Sequence, residues 1–355
     1  MPIIRFKSKI EQVAEHLKGE LLRGRWNDRI PGRDALAMEL GINSKTVESA
    51  LRLLEHEEFL VAEGVGKKRR IVLPAHVNPP SLRVAVLKYD PEVNGENFMV
   101  DLVHLLTEAG HIAFSTSQTL LGMGMKVGRV AKLVEKTPAD AWVVVSGSRE
   151  ILEWFVAQSV PAYALFGRRR ELSIAGGGPD KIPAMRELTR DLLELGHQRI
   201  VLMVRSERRL PQPGALERAF LTTLEAHGLR PTSYHLPDWE ESIEGFHRAL
   251  EKLFQLTPPT ALIVDEAPFF TAAMQFCLNR GLRVPEQVSL VCCDSDPNFT
   301  WCKPSITHIQ WDSWAVAKPI VNWASNISRG RNDRRQVETK AEFIKGGTIG
   351  PAFRG

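Results

Sequence analysis

Residues 260–294 read TALIVDEAPFFTAAMQFCLNRGLRVPEQVSLVCCD. Two runs of strand length, TALIVD and VSLVCCD, are almost wholly apolar, and a helical segment over 267–280 lies between them. A strand with one wet face alternates apolar and polar residues, whereas a strand with none is buried on both sides. The same arrangement extends outward from this stretch. LRVAVLKY (82–89), HIAFST (111–116), AWVVVS (141–146), VPAYALF (160–166) and RIVLMV (199–204) are further apolar runs, interleaved with helical segments over 97–109, 183–195 and 214–227. Such alternation predicts an α/β architecture, a parallel sheet with helices on both faces. Ligands bind these sheets beyond the carboxyl ends of the strands.

The pattern stops at PAHVNPPS (74–81), whose three prolines and lack of apolar periodicity mark a linker. Three stretches of sequence follow: residues 1–73, the linker 74–81, and residues 82–355. In the first, Ile10, Val13, Leu17 and Leu21 form one helical stripe within 7–24, RDALAMEL (33–40) forms a second helix, and GINSKTVESALRLLEHEEFLV (41–61) contains a third. FLVAEGVGKKRRIVLPA (59–75) then has β-like composition with Gly64 and Gly66 at its middle and four bases from Lys67 to Arg70, which predicts a hairpin with a basic tip. The third helix opens on short polar residues, Asn43, Ser44, Lys45 and Thr46, with its apolar stripe behind them. A helix-turn-helix needs that pattern, because the start of its second helix approaches base edges closely while the stripe packs inward. Asn43 or Ser44 is placed to cap the helix.

Composition narrows the alternatives. At 355 residues, 43% hydrophobic and 25% charged, the chain can bury sizeable cores. No stretch approaches the roughly 18 to 20 apolar residues of a membrane span, and the N-terminus turns amphipathic before a signal-peptide core forms, so a cytoplasmic protein without a membrane partner is expected. Of the net charge of +4, residues 1–73 hold 14 Lys and Arg against 11 Asp and Glu, which points to an anionic partner for that segment. Cys277, Cys292, Cys293 and Cys302 contain no CxxC pair and read as buried, reduced thiols.

RWNDRIPGRDALAMELGINSKTVESALRLLEHEEFLV (25–61) resembles the winged helix-turn-helix of GntR-type bacterial transcription regulators. Ile30-Pro31, Leu36-Ala37, Leu40-Gly41-Ile42, Thr46-Val47, Ala50-Leu51 and Leu54-Glu55 fall on the family pattern. The resemblance implies that Arg33 and Lys45 reach phosphates or bases, that Thr46 contacts the backbone, and that the wing residues Lys67, Lys68 and Arg69 enter a minor groove. Ser44 and Glu48 stand where the family often has guanine-reading arginines, so Ser44 is a candidate contact. Glu58 stands where the family has glycine. Glu48 faces either a cytosine amino group or solvent.

From Leu82 onward the chain resembles the effector domain of the lactose-repressor family, itself similar to periplasmic sugar-binding proteins. The most diagnostic residues are Asp265, Gly281, Val284-Pro285, Val288-Ser289, Asp294 and Pro304-Ser305-Ile306-Thr307. The resemblance implies two Rossmann-like lobes joined by crossover strands, a small-molecule effector of the sugar class in the cleft, and Asp294 accepting from its hydroxyls. The family's sugar-gripping arginine is missing, since Gly214 stands there. Arg208 and Arg209 lie nearby as substitutes.

Trp301 follows Asp294 and reads either as a stacking face for a sugar ring or as a loop anchor. Ser146, Ser148 and Arg149 follow one strand end, and Asn97 and Phe98 follow another. Each is a cleft candidate with a surface or capping role as its alternative. His197 follows Gly196 at a helix end and reads as structural. No phosphate loop, nucleophile elbow or metal-binding His motif occurs, so no catalytic residue, metal or cofactor is expected.

The combined expectation is a ligand-responsive repressor. It binds a pseudo-palindromic operator in double-stranded DNA as a homodimer. The alternatives are a solute-binding or sensor protein with no DNA role, and an enzyme domain fused to a winged helix, which would need a Schiff-base lysine pattern that is not found.

Overall fold

The computed structural model describes all residues except 1–7, 23–24, 27–28, 65–66, 73–80, 91–95 and 354–355, and leaves the side chains of residues 96 and 97 undescribed. All of the expected linker 74–81 except Ser81, the ends of the first helical stripe at Lys7 and Gly24, and Gly66 of the hairpin therefore lie outside the described residues. So does the side chain of Asn97.

The N-terminal unit consists of α1 (Lys9–Leu22), α2 (Arg33–Leu40), α3 (Ser44–His56) and the antiparallel strands β1 (Leu60–Val61) and β2 (Arg70–Ile71). Local chemistry sets each boundary. Gly41 ends α2 in the left-handed region at φ 65°, where a residue without Cβ meets no steric penalty. Two residues on, the Asn43 side chain accepts from the Lys45 amide at 2.7 Å and starts α3. Leu17, Leu21, Leu36, Val47, Leu51, Leu54, Phe59 and Leu60 are buried together. Ile10, expected on the buried stripe, lies at the start of α1 and is exposed.

Glu58 turns the chain from α3 into β1 at φ 62°. A side chain in that region costs roughly 1–2 kcal/mol. Glu58→Gly is therefore expected to stabilise this unit by up to about 1 kcal/mol, after the greater freedom of glycine in the unfolded chain is deducted. Slower hydrogen exchange at α3 and β1 amides would register the gain.

The remaining elements are β3 (Arg83–Leu87), α4 (Glu96–Glu108), β4 (Ile112–Ser115), α5 (Val127–Lys136), β5 (Ala141–Val145), α6 (Arg149–Val156), β6 (Ala162–Leu165), β7 (Ala175–Asp180), α7 (Ile182–Glu194), β8 (Ile200–Met203), α8 (Ser206–Arg209), α9 (Ala215–Ala226), α10 (Ile243–Leu256), β9 (Ala261–Val264), α11 (Ala267–Asn279), β10 (Ser289–Cys292), β11 (Thr307–Trp311), α12 (Ser313–Ser328) and β12 (Gln336–Ile344). Ten strands run in the order β4-β3-β5-β6-β7-β12-β11-β10-β9-β8. All neighbours are parallel except β11 and β12. The long strand β12 pairs with β7 through residues 336–340 and with β11 through 341–344, so it belongs to both halves of the sheet.

Two lobes result, each covered on both faces. In the first, Val84, Val143 and Leu165 pack under Leu102 of α4 and Ile320 and Trp323 of α12. Trp142, Val144 and Ala164 face Val130, Ile151 and Phe155 on the other side. In the second, Ile200, Leu202 and Ile263 face Leu188 of α7 and Phe220 of α9, while Met203, Leu262 and Leu290 face Leu250 of α10 and Ala273 of α11. The chain crosses between lobes after β7, after β11 and within β12.

Strand β7 has the sequence AGGGPD and no apolar pattern, yet it is the seam of the first lobe. A Cβ at Gly176 would meet the Ala164 carbonyl at 2.6 Å, and one at Gly177 would meet the Tyr163 hydroxyl at 2.4 Å. The strand is glycine because its neighbours leave no room for a side chain. Cys277, Cys292 and Cys293 are buried free thiols as expected, but Cys302 is exposed.

Candidate functional site

Two surfaces carry the expected functional residues. On the N-terminal unit, Lys45 is exposed in the first turn of α3, with Ser44 and Thr46 half-buried beside it, and Lys67 and Lys68 are exposed on the hairpin. Arg33, at the start of α2, forks onto Asp34 at 3.1 and 3.3 Å. Arg33 and the Ser44 hydroxyl together hold the Asp34 carboxyl below its ordinary value.

Arg69 departs from its expected role. Its guanidinium donates to Glu55 at 2.5 Å and to Glu48 at 2.8 Å, so it is engaged by α3 and ties the hairpin to that helix. Glu48, expected to face a base or solvent, is instead held below its ordinary value by Arg69, with Arg52 adding to the effect. Arg69→Ala is expected to loosen the hairpin and destabilise the unit by about 1–2 kcal/mol, leaving Glu55 without its partner and Glu48 with only Arg52 at 3.4 Å, which denaturant titration would measure.

The second surface lies where β3, β8, β9 and β10 end, at the face between the lobes. Arg205, directly after β8, is 4% exposed. It donates to Glu241 at 2.6 Å and to both oxygens of Glu266 at 2.9 and 3.0 Å, and lies between the rings of Tyr89 and Phe269 at 5.2 and 5.0 Å. The Tyr89 hydroxyl, from the first lobe, lies 2.8 Å from Glu207 and 2.9 Å from Glu241 of the second and shares its one proton between the two carboxyls. Arg168, also from the first lobe, donates to the Glu207 carbonyl at 2.6 Å and the Gln212 carbonyl at 2.8 Å. These contacts bridge the lobes.

Burial and the charge of Glu241 push Glu207 up to about 7. Burial and Asp265 push Glu266 up to about 7 as well. Burial opposes ionisation of Glu241 too, but the Ser206 hydroxyl and amide and Arg205 outweigh it, and Glu241 is held below its ordinary value. A carboxyl whose value rises on folding from 4.5 to about 7 binds its proton more tightly in the folded state. Its cost to stability therefore grows as pH rises between those values and is constant above them. Glu207→Gln, which keeps an acceptor for Tyr89, is expected to raise stability by roughly 1–3 kcal/mol at pH 8 and negligibly at pH 4. Thermal melts across that range test it.

The expected cleft residues divide. Arg208 is at this surface, donating to Glu217 at 2.9 Å and Asp265 at 2.8 Å. Asp294 closes β10, but its Oδ1 already accepts from the Trp311 indole and the Ser295 amide and pairs with Lys181 at 3.1 Å. Phe98, expected in the cleft, is instead part of the buried core of the first lobe, packed against Phe166 and Trp311 with ring centroids 6.2 and 5.5 Å apart.

Three more expectations are corrected. Ser148 caps α6 by accepting from the Ile151 amide, and Arg149 reaches Glu153 at 2.7 Å and the Arg170 carbonyl at 2.6 Å on the exposed side of that helix. Trp301 is 88% exposed and neither anchors its loop nor meets Asp294; Trp311 occupies that place. His197 is structural as expected, buried between Thr260, Ser289 and the Gly350 carbonyl.

Sequence reasoning missed Tyr89, Arg168, Lys181, Arg205, Glu207, Glu241, Glu266 and Trp311. A signal existed for some of them. LKYD, VRSERR and VDE each place charges directly after an apolar run, where parallel strands end.

A model of the periplasmic binding protein-like domain matches residues 189–349. A curated relative, an uncharacterized HTH-type transcriptional regulator in the aml 5' region of Streptomyces limosus, is 26% identical over 166 residues, or 46% of this chain. The chain spans about half the length of that relative, 47% of it. Among solved structures, a LacI-type transcription regulator from Bifidobacterium animalis is 18% identical with a TM-score of 0.64, covering 75% of this chain and 99% of that one. A LacI family regulator from Enterococcus faecium with bound ribose has 16% identity, a TM-score of 0.60, and coverage of 76% and 99%. The lac repressor dimer bound to operator and an anti-inducer has 17% identity, a TM-score of 0.60, and coverage of 79% and 99%. The lobes, their crossovers and these likenesses agree: after its N-terminal unit the chain has the two-lobed, mostly parallel α/β fold of periplasmic-binding-protein-like domains.

Proposed function

We propose that the protein is a ligand-responsive transcription regulator of the lactose-repressor type, acting as a repressor in the bacterial cytoplasm. Its N-terminal unit, residues 1–73, is a GntR-type winged helix-turn-helix joined through residues 74–81 to a two-lobed effector and dimerisation domain, residues 82–355. One observation carries this reading: exposed Lys45 at the start of α3 and exposed Lys67 and Lys68 on the hairpin, in a unit that precedes a two-lobed domain. A helix N-terminus with a lysine beside it favours phosphate, and a basic hairpin next to it adds a second strip of positive charge. A winged unit is supported by the pairing of β1 with β2 directly after α3.

The protein binds a pseudo-palindromic operator as a homodimer, so the operator's half-sites share the two-fold axis of the protein. A small polar molecule of the sugar class occupies the interlobe surface, where Arg208 and Asp294 contact it. Tyr89 and Arg168 bridge the lobes there, so a ligand that changes their separation also changes the spacing of the two DNA-binding units. A differential affinity of a few kcal/mol between the two lobe arrangements suffices. That the relatives' names are those of transcription regulators supports this reading over an enzyme.

Fluorescence anisotropy of the purified protein on labelled DNA from upstream of its own gene, with and without a panel of sugars, tests the proposal. Preference for one fragment over random DNA, shifted by one compound, is the expected result. Binding without preference among fragments would overturn it.

A further inference from the structure

The strand ends between the lobes carry more negative charge than they neutralise. Arg205 is shared between Glu241 and Glu266, with Asp90 at 4.0 Å, and Arg208 is shared between Asp265 and Glu217. Each guanidinium thus serves at least two carboxylates. The Glu207 carboxyl accepts from the Tyr89 phenol and has no cation bonded to it among the described residues, Arg168 reaching only its main-chain carbonyl.

A second observation is independent of that count. Asp265 is 1% exposed; its Oδ1 takes the Arg208 bond, and its Oδ2 is buried without a hydrogen-bond partner among the described residues. Asp265 holds Arg208, the chain neighbour of Glu207, and is itself followed by Glu266, so it belongs to the same cluster of strand-end carboxyls. A buried carboxylate oxygen without a donor is costly, and a cluster of carboxylates short of cations compounds the cost.

We propose that the effector taken at these strand ends carries a cationic nitrogen, an ammonium or guanidinium, received by Asp265 and Glu207. The inference rests on reading residues 82–355 as an effector domain. An ammonium offers three donors and no acceptor, so it satisfies the orphaned oxygen and offsets the charge together. A neutral hydroxyl supplies a donor and leaves the charge excess in place. An organic cation fits better than a metal ion, because among the described residues no group of three His, Cys, Asp or Glu side chains is arranged to hold one. Glu207 and Glu266, held up to about 7 by burial and neighbouring carboxylates, are only partly protonated at neutral pH, and an arriving cation displaces the protons they hold. The ligand also competes with Tyr89 for Glu207, which links occupancy to a bond between the lobes.

The test uses the full-length protein and matched pairs: glucosamine with glucose, galactosamine with galactose, and putrescine with butane-1,4-diol. Thermal shift and calorimetry are run at neutral pH with each compound at about 10 mM, far above a micromolar Kd. At least one amine is expected to raise Tm by several degrees and to release protons on binding, while its neutral partner does neither. Glu207→Gln and Asp265→Asn are each expected to weaken that amine about tenfold or more. Asp265 holds Arg208, so if its variant does not fold, Glu207→Gln alone carries the comparison. Equal binding of amine and neutral partner, no shift with any amine, or unchanged affinity in Glu207→Gln would overturn the proposal. Operator anisotropy on the same samples separates the two claims. Amine binding by a protein without fragment preference removes the regulator and keeps the cationic ligand. Fragment-specific binding that answers only to neutral sugars does the reverse.

Discussion

Arg205→Ala is expected to destabilise the protein by about 3–5 kcal/mol, because it strips the partner from buried carboxylates. Arg205 lies between two aromatic rings and satisfies Glu241 and Glu266 together, three of its donor bonds being 3.0 Å or shorter. Without it those carboxylates must ionise unpaired or take up protons. The loss is therefore largest above neutrality and shrinks as pH falls and Glu266 protonates. Urea unfolding at pH 8 and pH 5 measures both the size and this slope. Arg205→Lys is expected to recover only part of the loss, since a single ammonium cannot reproduce the fork that meets both oxygens of Glu266. A loss below about 1 kcal/mol at pH 8 would mean that water replaces the guanidinium.

The second large effect concerns DNA. Replacing Lys45, Lys67 and Lys68 together by alanine is expected to weaken operator binding by about a hundredfold at moderate salt. The slope of log affinity against log salt should fall by about three, one for each phosphate that a lysine neutralises. Lys45→Ala alone should lower it by about one. Arg69→Ala offers the contrast, because that guanidinium is occupied by Glu48 and Glu55; its variant should lose stability while keeping most of the salt slope. A triple variant with an unchanged slope would remove this face from the interface.

Seven of the ten strands of the large sheet lie inside the apolar runs, and RDALAMEL coincides with α2. All of these strands but the edge strand β4, which is half-exposed, are legible because burial on both faces demands apolar side chains at nearly every position. β7 was not legible. Its glycines answer to Tyr163, Arg169 and the Ala164 carbonyl, neighbours that come from other parts of the chain. β12 was missed for another reason: its irregular mix of half-buried and exposed residues belongs to a strand serving two half-sheets, and only the sheet order reveals that.

The candidate site divides along the same line. Exposed lysines on the N-terminal unit were readable, because a turn, a cap and a basic hairpin follow one another within a short span of sequence. At the interlobe surface the sequence named Arg208 and Asp294 but could not show that Asp265 and Glu217 hold the first and Lys181 and Trp311 the second. Nor could it show that Ser148 and Arg149 are satisfied locally or that Trp301 faces outward.

By itself the sequence determined the order and type of most elements and the charge of the first 73 residues, because these follow from local periodicity and composition. Only the tertiary structure decided which carboxylates meet which cations. Tyr89 and Glu207 lie 118 positions apart, and so few guanidiniums face so many carboxylates only once strand ends from both lobes converge.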